Sequence, residues 1–276
     1  MKFLVQLIAV LAIGFLSSLA VEAAAGEPWL QLAVGVVSAA VAVFAYRWVV
    51  RRTEPGAPED LAGPGAVSAL FRGTFVAVLT FAAVIGAIAA FGGYEIVGTG
   101  SVTGAAALVG IMATAAAVEE LMFRGFLFRW IEKGTGTWIA FTFSALLFGL
   151  IHLTNPNATL WGAVSVAIGG GGMLTAAYLA SRNLWLPIGL HFGWNVAGSA
   201  LFSTEVSGND TAQGLFDTVM DGPVLLTGGS FGPEASLFTL LFTGIVTVTL
   251  LVVARRRGNI LSLETARDAD RDKVSQ

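Results

Sequence analysis

Long apolar runs separated by short polar stretches dominate the chain. A membrane-spanning helix needs about 20 predominantly apolar residues. Eight runs approach or exceed that length: 3–21, 29–50, 73–93, 104–128, 137–153, 159–180, 184–203 and 235–254. The pattern predicts an all-α, polytopic helical membrane protein in which one membrane domain spans 1–257. A charged segment, 258–276, follows and reads as a solvated cytoplasmic tail.

Charge placement orients these helices. Lys and Arg concentrate in cytoplasmic loops. With the N-terminus inside, the inner segments are 1–2, 51–72, 129–136, 181–183 and 254–276. Every Lys and Arg except Arg124 falls in or beside them. The outer loops carry no basic residue, and the longest, 204–234, holds Glu205, Asp210, Asp217, Asp221 and Glu234. Both termini are therefore expected in the cytoplasm. Lys2, the apolar run from Phe3 to Ala20 and the small residues Ala23, Ala24 and Ala25 also fit a cleavable signal peptide. The length of that run favours a retained helix, because cleavage would break the inside–outside alternation.

Composition agrees with the pattern. The chain is 55% hydrophobic and 12% charged, with a mean hydropathy of +0.78, whereas soluble domains carry about 25% charged residues. Cysteine is absent, which excludes disulfides and thiolate chemistry. A net charge of −3 with no basic stripe gives no footprint for nucleic acid. The 34 glycines suit close helix approach in lipid, and four of them, 169–172, form a run read as close packing or a local break of the sixth span.

Against this background the ionisable residues inside the spans stand out. Each costs about 2.5–3.5 kcal/mol at the centre of a bilayer. The fourth span carries Glu119, Glu120 and Arg124. Glu120 and Arg124 share a helix face and can pair, while Glu119 is rotated by about 100°. That suits one structural and one working carboxylate, or else an interfacial salt-bridge cluster. The chain's two histidines lie in the fifth and seventh spans. Phe148 sits one turn from His152 and can fix its rotamer, and Asn195 sits one turn from His191. The Asn195 amide could orient the imidazole, fix its tautomer or hold an oxyanion; the plainer readings are packed or helix-bridging polar residues. Gly189 and Gly193 flank His191 and permit close approach of another helix. At about 1.5 Å per residue, Glu119 lies ~15 Å, His152 ~22 Å and His191 ~10 Å from the inner edge. Within the slack of tilt, the three converge near one depth, predicting a polar cavity between the fourth, fifth and seventh helices.

Taken together and in order, Glu119-Glu120-x-x-x-Arg124, Phe148-x-x-x-His152 and His191-x-x-x-Asn195 resemble the CAAX prenyl endopeptidase and bacteriocin-processing family of intramembrane proteases, over roughly residues 100–205. The resemblance implies a water-filled cavity open to the cytosolic side. It implies Glu119 as the catalytic glutamate, His152 and His191 as catalytic or metal-binding, and Asn195 as the oxyanion partner. Glu120 and Arg124 take supporting roles, Glu120 adjoining the catalytic group. Two mechanisms stay open. Glu119, His152 and His191 could supply three ligands to zinc, leaving a fourth position for water. Alternatively Glu119 is the base, leaving two clear ligands, and the water is activated by glutamate without metal. The expected substrate is a membrane-presented peptide or protein C-terminus, in a membrane that composition suggests is prokaryotic. A non-catalytic scaffold or bacteriocin-immunity protein of the same family is the alternative. A proton-coupled transporter is disfavoured by the absence of related halves.

Overall fold

The computed structural model describes residues 1–54, 60–210 and 213–263. Among the described residues the backbone is overwhelmingly helical. Seven helices are long and apolar enough to cross a membrane: α1 (Lys2–Ala23), α2 (Pro28–Thr53), α3 (Ala66–Ala90), α4 (Val102–Thr135), α5 (Thr137–Thr154), α6 (Leu160–Ser181) and α8 (Leu237–Arg256). The predicted seventh span forms a shorter helix, α7, over 185–201, with 12 α-helical residues followed by five in π geometry. It is largely buried inside the bundle, so its length is set by its protein neighbours. The fourth span is longer than its apolar run because Glu132 and Lys133 at its inner end are paired, and so the helix continues past the hydrocarbon.

Apolar side chains face outwards as well as inwards. Leu237, Leu241, Ile245, Val248 and Val252 form an exposed stripe along one face of α8. Such a surface belongs against lipid. Inside, glycines set the helix spacing. A Cβ on Gly35 of α2 would fall 2.2 Å from the Gly110 carbonyl oxygen of α4, and one on Gly189 of α7 would fall 2.2 Å from the Leu70 oxygen of α3. The backbones touch where no side chain intervenes, which is the dispersion-driven packing expected in lipid.

The two ends of the bundle differ. At the basic end, Arg129 of α4 meets Glu54 at 3.3 Å and Asp60 at 3.9 Å, and Lys133 also pairs with Glu54. Tyr178 donates to Asp60 at 3.2 Å, and Gln6 of α1 accepts from Trp130 at 2.8 Å. Asp60 is buried, and desolvation pushes its carboxyl up to about 6 against the pull of Arg129. Arg182 forms a fork on Glu132 at 2.5 and 2.8 Å. Asn259 and Leu261, assigned by the sequence to the solvated tail, are pinned here. The Asn259 amide donates to the Leu179 oxygen at 2.8 Å, and the Thr137 amide donates to the Leu261 oxygen at 3.1 Å. The rest of the predicted tail, 264–276, lies outside the described residues.

At the acidic end the long loop is structured where the sequence shows only polarity. Strand β1 (Tyr94–Thr99), which follows α3, pairs antiparallel with β2 (Phe216–Met220), which precedes α8, with Tyr94 opposite Met220. No alternating pattern of useful length announces so short a ribbon.

Candidate active site

Three helices deliver the site. In α4 the backbone changes to π geometry over Leu121–Phe128, directly after Glu120; such widened turns recur at functional positions. Arg124, fully buried, donates from Nη1 to Glu120 Oε1 at 2.8 Å and from Nη2 to the Gly171 carbonyl at 3.0 Å. The acceptor belongs to the glycine run of α6, which is itself π-helical over Ala167–Gly171. A Cβ at Gly171 would lie 2.9 Å from Ala145 backbone atoms. The run therefore provides both close packing and a carbonyl for Arg124.

The Arg124 guanidinium carbon stands 4.7 Å from the Phe148 ring centroid. That ring also contacts His152 at 5.0 Å and His191 at 5.8 Å between centroids. Phe148 is thus the common wall of the arginine and both imidazoles. A cation on an aromatic face in a dry interior is attracted by the ring quadrupole.

Glu120 Oε1 accepts a second hydrogen bond, from His191 Nδ1 at 3.0 Å. A carboxylate paired to arginine only accepts, so Nδ1 carries the proton, and in the neutral imidazole Nε2 presents a lone pair. That nitrogen faces Glu119 Oε2 at 3.9 Å, too far for a hydrogen bond. Glu119 Oε2 is buried without a partner, as is Glu120 Oε2. His152 is arranged the same way: Nδ1 lies 2.6 Å from the Phe148 carbonyl oxygen, which can only accept. In its neutral form each histidine therefore offers Nε2 as an acceptor. The tautomer of His191 is set by Glu120; the sequence allowed that role for Asn195 and paired Glu120 with Arg124 alone.

Glu119, Phe148, His152, His191 and Asn195 line one cavity of about 460 Å³. Water occupies about 30 Å³ per molecule, so the space has room for a short peptide segment together with water. Asn195 is buried on the His191 face of α7, and Ser199 donates to its carbonyl at 2.7 Å. Glu120 and Arg124 stand behind this wall and do not line it. The acidic loop closes the outer side. Trp194 Nε1 donates to Glu234 Oε1 at 2.7 Å, and the Ser207 hydroxyl donates to Glu234 Oε2 at 2.6 Å. Glu234 and Trp194 escaped the sequence reasoning, since a glutamate in an acidic loop and a tryptophan in an apolar run carry no local signal.

Glu119, His152 and His191 are the side chains that would be asked to hold zinc. Among the described residues, no three His, Asp or Glu side chains are gathered closely enough to hold one metal ion. As placed, they do not form the three-ligand set of a catalytic zinc, and no step below passes through a metal.

Residues 101–197 match the family model described as type II CAAX prenyl endopeptidase Rce1-like. No curated protein and no solved structure matches the chain. The matched segment runs from the N-cap of α4 to the residue following Val196 of α7, and it contains Glu119, Glu120, Arg124, Phe148, His152, His191 and Asn195. Over this segment the chain, an integral membrane protein, is similar to the type II CAAX prenyl endopeptidases, which supports the resemblance to the CAAX prenyl endopeptidase and bacteriocin-processing family.

Proposed function

We propose that the protein is an intramembrane endopeptidase that hydrolyses peptide bonds of membrane-presented segments with a glutamate-activated water. The observation that carries this reading is the chain Arg124–Glu120–His191 ending opposite Glu119 at the wall of a polar cavity. Arg124 holds Glu120 in place, Glu120 holds the His191 tautomer, and His191 Nε2 faces the same space as the unpartnered Glu119 oxygen. A water there lies between Glu119 and His191, with His152 on the wall of the same cavity.

Glu119 takes a proton from the water as its oxygen bonds to the scissile carbonyl carbon. The carbonyl becomes an oxyanion, and the Asn195 side-chain N–H groups are the donors suited to meet it. As the C–N bond breaks, Glu119 returns the proton to the leaving amine. With Nδ1 carrying the proton, a neutral imidazole presents only a lone pair to the cavity, and in that form both histidines orient water and do not bind the oxyanion.

The test is cleavage of a peptide library by detergent-purified wild type beside Glu119→Gln, His152→Ala and His191→Ala, with metal content measured on each sample. Loss of a general base costs about 10²–10⁴ in rate, so Glu119→Gln should fall by at least that factor while remaining folded. Full cleavage by any one of the three variants refutes the assignment. Stoichiometric zinc, lost in the histidine variants, would replace the metal-independent mechanism by a zinc-dependent one.

A further inference from the structure

Charge and cavity occupy opposite ends of this molecule. Arg51 and Arg52 close α2, Arg72 lies in the first turns of α3, Arg129 and Lys133 end α4, Arg182 follows α6, and Arg255 and Arg256 end α8. The other end carries Glu22, Glu27, Glu95, Glu205, Asp210, Asp217, Asp221 and Glu234, with no Lys or Arg in its loops. Short loops rich in Lys and Arg stay in the cytoplasm during insertion. The basic end is therefore cytoplasmic.

The cavity runs from Glu119 and His191 in the middle of the bundle to the loops of the acidic end. Its walls come from Leu108 to Glu119 in the first half of α4, from Phe148 and His152 at the end of α5 and from Ser165 to Leu174 of α6. Its mouth is formed by Asn209 and Asp210, both exposed. Towards the basic end the interior is filled by Tyr46, Leu121, Phe126, Phe128, Tyr178 and Leu184, all buried. Beneath them sits the cluster around Arg129 and Asp60.

We infer that the site is served from the extracytoplasmic face, and that its substrate is a neutral or cationic peptide segment presented on that side of the membrane. The sidedness rests on charge and geometry alone; the substrate class rests in addition on the peptidase reading. The cavity lining holds Glu119, Asp210 and Glu234 and no Lys or Arg. An internal peptide bond or a basic segment meets no repulsion there. A free C-terminal carboxylate, of the kind a cytosolic C-terminal tripeptide carries, would enter a space lined by three carboxylate residues with no Lys or Arg to pair it. The cytosolic opening implied by family resemblance and the cytoplasmic termini implied by the charges thus exclude one another in this chain, and the observed geometry follows the charges.

The absence of cysteine makes the test direct. Single-cysteine variants of the full chain, Asn209→Cys at the mouth, Ser230→Cys on the acidic end and Ser262→Cys on the basic end, are expressed in cells and treated with a membrane-impermeant maleimide before and after lysis. All three positions are exposed, and the two serine changes are nearly isosteric. Asn209→Cys and Ser230→Cys should label equally before and after lysis, and Ser262→Cys only after it. The reverse pattern overturns the sidedness, as does labelling of all three in intact cells, which would mean mixed orientation. Labelling of Ser230→Cys with Asn209→Cys protected in both conditions overturns the open mouth. The readout does not depend on catalysis, so a failed peptidase assay and a failed topology fall apart cleanly.

Discussion

Gly189→Ala probes how closely the His191 helix must lie against its neighbour. The added Cβ would stand 2.2 Å from the Leu70 carbonyl oxygen, and ordinary contact begins near 3.4 Å. Backbone on both sides leaves nothing to rotate away, so α7 must retreat from α3 by about 1 Å, consistent with the 1–3 kcal/mol cost of over-packing. The His191–Glu120 bond is 3.0 Å long, and a shift of that size breaks it in either direction. Thermal unfolding in detergent should fall by about 2–12 °C, using roughly 2–4 °C per kcal/mol for a chain of this size. Peptide cleavage should fall on the order of 10²-fold, the usual consequence of a 1 Å misplacement at a reacting group. Gly86→Ala on α3 is the control. No atom lies within 4 Å of its Cβ position, so alanine there should stabilise by about 0.5–1 kcal/mol. A Gly189→Ala protein as stable and active as wild type would refute the packing argument, as would equal damage from Gly86→Ala.

Glu120→Gln keeps an acceptor for His191 but leaves the fully buried Arg124 without its counter-charge; stability should fall by about 3–5 kcal/mol and recover most of that loss in Glu120→Gln/Arg124→Met. A single variant as stable as wild type in detergent unfolding would show that the pair is not desolvated. For Asp60, burial raises the folded carboxyl from an ordinary value near 3.8 to about 6. Its contribution to stability is greatest while it is neutral, below about pH 4, and declines as pH rises through 6, by roughly 3 kcal/mol for a two-unit shift. Asp60→Asn should therefore match wild type near pH 4 and exceed it increasingly towards pH 7; parallel pH profiles of the two proteins would contradict this.

The apolar segments were legible because a bilayer leaves the backbone no alternative to helix. The site was legible for a related reason: Glu119, Glu120, Arg124, His152 and His191 are conspicuous where ionisable groups are costly. Spacing of four predicted that Glu120 could reach Arg124 and that Phe148 could pack on His152, and both contacts are present. What spacing cannot encode is contact between distant segments. The bond from His191 to Glu120 joins residues 71 apart, and that from Trp194 to Glu234 joins residues 40 apart. The short α7 was read as a full span because burial in protein and burial in lipid select the same apolar residues. Pinning of Asn259 and Leu261 was hidden because their partners, the Leu179 oxygen, the Thr137 amide and hydroxyl and the Arg182 guanidinium, lie 77 to 124 residues away.

The β1–β2 ribbon has a consequence for the order of assembly. Its strands are joined through Tyr94 and Met220, and the chain between them contains Glu119, Glu120, Arg124, Phe148, His152, His191 and Asn195. At about 5–20 residues per second, the ribosome delivers the second strand some 6–24 s after the first. Throughout that interval the first strand is an unpaired edge, and the helices of the site have been made before the clasp that joins their flanks. The hairpin can close only once the intervening helices have been threaded into the bilayer in the right order. Ribbon formation thus comes late, completing the roof over the candidate site after its walls have been made.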